Sequence, residues 1–399
     1  MKFRDWIFWV HLVCGIVVGL VVMIMAVTGT ILAFEPQIVE YAEQNVRKVE
    51  VPLNTQRLTL DEIVAKAADE KSGAKVNAVT IKSDPTASIF VSFGRDDAFY
   101  ADPYTGRVLG GNSKMHEFMH DVEVWHRWLG MEGAFKPVGH NIKGVCNIAF
   151  FFMIVTGVYL WWPKNWKWPG IKNIIVFNPR ATGKARDWNW HNVIGFWGAP
   201  LFILITVTGT IMSYKWANDL LYRMTGNEPP VVQQAEKPKE KSERGGREKE
   251  KKADAKEPER PAASLDALYT NAEPLVPGWV SMTFRLSGGP GSQGQGDKGK
   301  INVTVQEPEH RNLNPRAQIT MDRSTGEVIK VETFAQQNLG RKLRIWVRYS
   351  HTGQAFGVIG QLILGLAAAG AAVLVWTGFA MAWQRFFPNK LKVSVKPNK

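Results

Sequence analysis

The amino-acid sequence predicts a membrane protein, a four-transmembrane-helix bundle with two α+β modules outside the membrane, built as an internal parallel repeat. Three observations predict it. Four nearly charge-free runs each reach the roughly 20 residues that a bilayer core demands of a helix. Two long polar segments between them read as a helix followed by strands, and the two halves of the chain align at a constant offset of 180 residues. The 399 residues carry 49 Lys plus Arg against 36 Asp plus Glu, a formal charge of +13. The mean hydropathy of −0.15 conceals the apolar spans because it averages them with charged loops. Two Cys in a chain of this length exclude a small disulfide-stapled domain.

Span one covers 1–34 and is almost free of charge from Ile7 to Phe34. That run is longer than the apolar region of a cleavable signal peptide, so it is expected to remain in the mature protein. Spans two, three and four are expected over 138–162, 190–216 and 351–383. Lys2 and Arg4 precede span one, Lys172, Arg180, Lys184 and Arg186 lie in the 163–189 loop, and Arg385 and Lys390 lie in the 384–399 tail. Basic residues gather on the cytoplasmic side, so both termini are expected there. The positive charge is then a topology signal that favours membrane lipid as a partner and needs no nucleic acid.

The outside segments are 35–137 and 217–350. In the first, LTLDEIVAKAADEKSG has helical periodicity, while VNAVTIK, SIFVSF and the run to GRVLGG alternate as strands. The second repeats the order with SLDALYTNAEPL, VSMTFRLS, INVTVQE and AQITMDRSTGEVIKV. It follows a spacer, 236–260, of charge, Pro and Gly whose composition predicts disorder. Both modules contain Asp-x-x-Thr-Gly, at Asp102 to Gly106 and Asp322 to Gly326. His11 and His191 each precede a Gly by four residues and an identical VTGTI by sixteen, and spans two and four both end in Thr-Gly.

Four of the eight His occupy corresponding places. His11 and His191 lie near the inner ends of spans one and three, and His126 and His351 precede spans two and four on the outer side. Imidazole is costly in lipid and is expected to face the bundle interior with a partner. Paired imidazoles on facing helices suit a six-coordinate haem iron, whose porphyrin supplies four nitrogens and leaves two axial positions. Two pairs imply two haems. Gly15, Gly19, Gly195, Gly198, Gly353 and Gly357 are expected to make room for flat macrocycles, and Arg127, Arg344 and Arg348 to neutralise propionates on the outer side. His140 has no counterpart, since the equivalent position holds Gln361. His116 and His120 are expected on a solvated helix face, and His310 in a polar loop.

Two motifs compete with this reading. His116-Glu117-Phe118-Met119-His120 matches the H-E-x-x-H zinc-protease helix, with His126 at the third-ligand spacing. Glu123 stands where the longer motif needs a Gly, and on a continued helix His126 points about 80° away from His116. Gly294 to Lys300 resembles a phosphate-binding loop, but Ile301 replaces the Ser or Thr that reaches Mg²⁺, and a hairpin loop explains it better. Cys14 and Cys146 read as packing residues.

DPYTGRVLG, MDRSTGEVIKV, VWHRWLG and the repeated VTGTI together resemble the PepSY-associated transmembrane family over nearly the whole chain. That family includes inner-membrane di-haem reductases of ferric siderophores. The resemblance implies periplasmic PepSY modules, a bacterial inner-membrane location and two b-type haems, one held by His11 and His191 and the other by His126 and His351. It further implies reduction of a ferric siderophore or other Fe(III) chelate in the periplasm, for iron uptake. Electrons are expected from a quinol or a cytoplasmic reductase, because no flavin or nicotinamide domain is visible. The alternatives are a non-enzymatic PepSY scaffold that binds a periplasmic partner, and a zinc peptidase using His116, Glu117 and His120.

Overall fold

The computed structural model describes residues 2–94, 97–163, 167–230, 262–286, 299–308 and 313–387. The 236–260 spacer, His310, Lys390 and most of the Gly294 to Lys300 motif lie outside them. Two compact units emerge, one formed by 1–39, 114–227 and 339–399, the other by 40–113 and 228–338.

The first unit is helical. Helix α1 runs Phe3–Leu32 and is followed by α2, Glu35–Ala42, and by α3, Gln44–Arg47, which belongs to the second unit. Among the described residues four helical stretches are long and apolar enough to cross a membrane: Phe3–Leu32, Gly133–Trp161, Gly183–Ser213 and Gln354–Phe386. The third begins seven residues before the expected span, because Lys184 to Asp187 extend the helix beyond its apolar run. Hydropathy marks the lipid-facing stretch rather than the helix end.

In the second unit α3 is followed by α4, Leu60–Glu70, whose first turn is closed by the reciprocal bonds of Thr59 and Glu62. Strands β1 Ala78–Lys82, β2 Ile89–Ser92, β3 Ala98–Ala101 and β4 Val108–Gly111 follow. The chain then returns to the first unit with α5 Lys114–Trp128, α6 Lys136–Trp161, α7 Trp168–Ile175, α8 Gly183–Ser213 and α9 Lys215–Met224. After α10, Leu265–Ala272, come β5 Ser281–Arg285, β6 Lys300–Gln306, β7 Arg316–Asp322 and β8 Val328–Glu332, before α11 Leu339–His351 and α12 Gly357–Phe386 close the chain. In the helical unit α1 packs against α6 and α12, and α8 packs against the same two, so the four spans form a closed ring. Helix α5 lies on α1 and α6, and α11 on α8 and α9.

The two outside segments join edge to edge rather than standing as separate sheets. One antiparallel sheet has the order β4-β3-β2-β1-β5-β6-β7-β8, sealed at its centre where Thr80 faces Thr283 and their hydroxyls meet at 2.9 Å. Val79, Ile81, Met282, Phe284, Val303 and Ile319 bury one continuous apolar face under α4 and α10. These helices also exchange caps. Asp266 accepts from the Leu60 and Asp61 amides, and Asp61 from the Leu265 and Asp266 amides. Each carboxylate thereby serves the positive end of the other helix.

The Asp-x-x-Thr-Gly segments build matching turns. Asp102 accepts from the Tyr104 and Thr105 amides, Asp322 from those of Ser324 and Thr325, and Gly106 and Gly326 take φ of +72° and +74°. The Ser324 hydroxyl and these amides hold the Asp322 carboxyl down at about 2. At the other end of the first segment, buried Glu43 accepts from Arg47, Tyr100 and Ser113.

Candidate functional site

Each of the four corresponding histidines rests on a Thr-Gly pair of a neighbouring helix. His11 Nδ1 lies 2.9 Å from Thr156 Oγ1, and His191 Nδ1 lies 3.0 Å from Thr377 Oγ1 and 3.1 Å from the Leu374 carbonyl. His126 Nδ1 lies 3.0 Å from Thr28 Oγ1, and His351 Nδ1 lies 2.9 Å from Thr208 Oγ1.

The hydroxyl protons assign the tautomer. A Thr in a helix interior turns its hydroxyl back onto the carbonyl four residues earlier. Thr28 does so to Ile24 at 2.6 Å, Thr156 to Phe152 at 3.0 Å, Thr208 to Leu204 at 2.5 Å and Thr377 to Val373 at 2.9 Å. A hydroxyl has one proton, so toward the imidazole each oxygen can only accept. Nδ1 is therefore the protonated nitrogen, and Nε2 keeps its lone pair on the opposite side of the ring. Metal-bound imidazoles are commonly oriented in this way, through a hydrogen bond from the nitrogen that does not ligate.

The glycine beside each threonine makes room for the ring. A Cβ on Gly29 would lie 3.3 Å from His126 Cε1, and one on Gly209 3.3 Å from His351 Cε1. The corresponding distances are 3.4 Å from Gly157 to His11 and 3.6 Å from Gly378 to His191.

His126 and His351 face one another with ring centres 6.4 Å apart and planes inclined at 59°. Two metal–nitrogen bonds of about 2.0 Å, each with roughly 1.1 Å from nitrogen to ring centre, span about 6.2 Å, so the separation of the ring centres matches that of two imidazoles sharing one metal ion. His11 and His191 line one cavity of about 570 Å³, which Phe150, Leu374 and Val375 make largely apolar and which Arg4, Lys184 and Arg385 also border. Gly15, Gly19 and Gly195 line it as well. Gly198 instead packs on Phe202, and Gly353 and Gly357, at φ of +79° and +64°, turn the chain between α11 and α12.

The arginines expected to meet propionates have other contacts. Arg127 is exposed, bonds Glu123 at 2.6 Å and lies over the Trp128 ring. Arg344 donates to Asn218 at 2.9 Å. Arg348 is close enough to Glu35 to oppose the upward shift that burial, and then Glu123, impose on that carboxyl. Sequence reasoning gave no role to a different cation. Lys143 is 9 % exposed within α6 and donates to Ser213 Oγ at 2.7 Å. It also passed over the role of Thr28, Thr156, Thr208 and Thr377. The signal was present as one Thr-Gly in each span, read only as a marker of correspondence.

His126 turns toward Thr28 and His351 rather than toward His116 and His120. His120 Nδ1 is 3.8 Å from Glu123. Among the described residues no group of three or more His, Cys, Asp or Glu is arranged to hold a metal ion. The H-E-x-x-H segment therefore gains no third ligand there. His140 lies beside Tyr214, ring centres 6.3 Å apart. Cys14 and Cys146 are free thiols, with Cys146 buried against Val18 and Val22.

A family model described as PepSY-associated TM region matches residues 8–385, so the chain belongs to that family and is a membrane protein with several spans. No curated protein matches the chain.

Proposed function

We propose, with membership of the PepSY-associated TM region family as the premise, that this chain binds two b-type haems and passes electrons across a bacterial inner membrane to Fe(III) chelates. The observation that carries the reading is the fourfold cradle, in which Thr and Gly hold an imidazole with Nε2 unprotonated and turned away from its support. His11 and His191 would hold the inner haem, and His126 and His351 the outer one. The 6.4 Å between the outer rings and the cavity shared by the inner pair support that pairing.

Bound haem supplies reversible one-electron chemistry. The chain supplies ligands of fixed tautomer, a largely apolar surround at the inner centre, and two depths within one bundle. The basic loops favour cytoplasmic termini, which sets the sheet unit in the periplasm as a pair of PepSY modules. The constant offset, the matched Asp-x-x-Thr-Gly turns and the four cradles support an internal parallel repeat. The substrate is an Fe(III) siderophore or similar oxygen-ligand chelate, reduced by one electron to Fe(II), which hard oxygen ligands hold less strongly. No protein acid or base is needed. Electrons enter from a quinol or a cytoplasmic reductase.

The test is a reduced-minus-oxidised absorption spectrum of the full chain produced with ample haem. Two b-type haems are expected, with His11→Ala or His191→Ala removing one and His126→Ala or His351→Ala the other. A colourless protein refutes the reading in favour of a scaffold, and loss in crossed pairs refutes the ligand assignment.

A further inference from the structure

A lysine buried in an apolar span is costly unless an anion meets it. Lys143 is such a residue, and among the described residues it makes no ion pair; its ammonium reaches only the neutral Ser213 hydroxyl, at 2.7 Å. An ammonium carries three donors, so one such bond leaves capacity for a further acceptor.

Its position relates it to one centre. Asn147 follows it by one helical turn on α6 and donates to the Thr206 carbonyl and to Thr210 Oγ1. A Cβ on Gly209 would touch Asn147 at 3.6 Å and His351 at 3.3 Å, so Asn147 and the outer imidazole abut the same glycine. Lys143 lies one turn further toward the start of α6, the end of the helix near which α5 with His126 packs. Arg127 and Arg344 are engaged with Glu123 and Asn218.

We propose that the Lys143 ammonium, supported by Ser213, holds a carboxylate of the macrocycle bound between His126 and His351. The inference rests on the two-haem reading above. A b-type haem carries two carboxylates on one edge, and a cation beside them binds the macrocycle through a charge-assisted hydrogen bond and favours the reduced iron.

The experiment compares the wild-type full chain with Lys143→Met and Lys143→Arg, scoring haem per protein, the two midpoint potentials and low-temperature EPR. Haem-depleted protein is also titrated with iron protoporphyrin and with its dimethyl ester, which lacks the charged carboxylates. In the wild type the outer centre should prefer the free acid by about tenfold. Lys143→Met should abolish that preference and lower the outer potential while leaving the inner centre unchanged, and Lys143→Arg should restore most of both. A wild-type outer centre that binds the diester as tightly as the acid overturns the proposal, whether or not the Met variant folds. Unchanged potentials together with an unchanged acid preference in Lys143→Met overturn it as well. A wild-type chain that binds neither porphyrin overturns the two-centre reading itself, and the role of Lys143 with it.

Discussion

Replacing Thr208 with Val removes the acceptor beneath His351 while preserving the shape of the side chain. The hydroxyl stands 2.9 Å from Nδ1 and spends its proton on Leu204, so nothing else in the pair depends on it. The imidazole N–H would be left facing a methyl group. Leaving a buried donor unsatisfied costs about 1–3 kcal/mol, or roughly 5- to 150-fold in affinity. Loss of a partner behind a metal-binding His costs about 10- to 100-fold in metal affinity, the same range. Thr208→Val and Thr28→Val should each weaken the outer haem by about 10- to 100-fold and raise its potential, because a ligand without this bond is less basic. Thr156→Val should do the same at the inner centre. Thr377→Val should be the mildest, since His191 Nδ1 retains the Leu374 carbonyl at 3.1 Å. Haem titration of depleted protein, read at the Soret band with potentiometry, measures all four. Wild-type affinity and potential in Thr208→Val, or an effect of Thr377→Val as large as that of Thr156→Val, would refute the tautomer argument.

The glycines beside these threonines and a carboxylate in the sheet unit supply the remaining predictions. Gly209→Ala places a methyl group 3.3 Å from His351 Cε1 and should tilt that ring, broadening the outer EPR signal, whereas Gly378→Ala, at 3.6 Å from His191, should leave the inner signal close to wild type. Glu43 is pushed up by burial and pulled down further by the Ser113 amide, Arg47 and Tyr100, with a net shift below its ordinary value. Its stabilisation is therefore fully present above the usual glutamate range and disappears as pH falls through the lowered value. Glu43→Gln should destabilise the sheet unit at neutral pH by about 1–3 kcal/mol, because the half-buried Arg47 and the Tyr100 and Ser113 donors lose a charged acceptor, and should flatten the acid limb of its thermal-melting profile.

Much of this was legible because the relevant signals are local. A run without charge marks a span whatever its neighbours. Alternation in AVTIK and SMTFR marks strands, and both strands show the same alternating burial. What alternation lacks is a partner. β1 and β5 lie some two hundred residues apart in the chain, and their pairing into one sheet depends on long-range packing under α4 and α10. The histidine pairs were visible through correspondence, but the threonines that orient them were not, since Thr and Gly in a span equally mark plain helix packing. Arg127 was assigned to a propionate although Glu123 stands four residues before it, a spacing that on a helix predicts the ion pair observed. Lys143 was visible only as a charge inside an apolar run. Nothing within such a run says whether a cation faces lipid, water or a buried acceptor.

The use of α1 and α8 ties the two centres together. His11 and Thr28 stand 17 residues apart on α1, and His191 and Thr208 stand 17 apart on α8. At about 1.5 Å per residue the separation is roughly 25 Å, most of the thickness of a bilayer core. Each of these helices thus carries an inner histidine and the hydroxyl that supports an outer one. The remaining four contributions divide cleanly. α6 and α12 support the inner histidines, while α5 and α11 carry the outer ones. A change that rotates α1 about its axis must therefore disturb a histidine at one depth and a support at the other. The spacing between the centres is held by continuous helix, with no loop between His11 and Thr28 or between His191 and Thr208 to relax it. On the proposed reading that distance is the quantity to hold constant, and the helices shared by both sites hold it, α1 without a break and α8 with Pro200 inside its run.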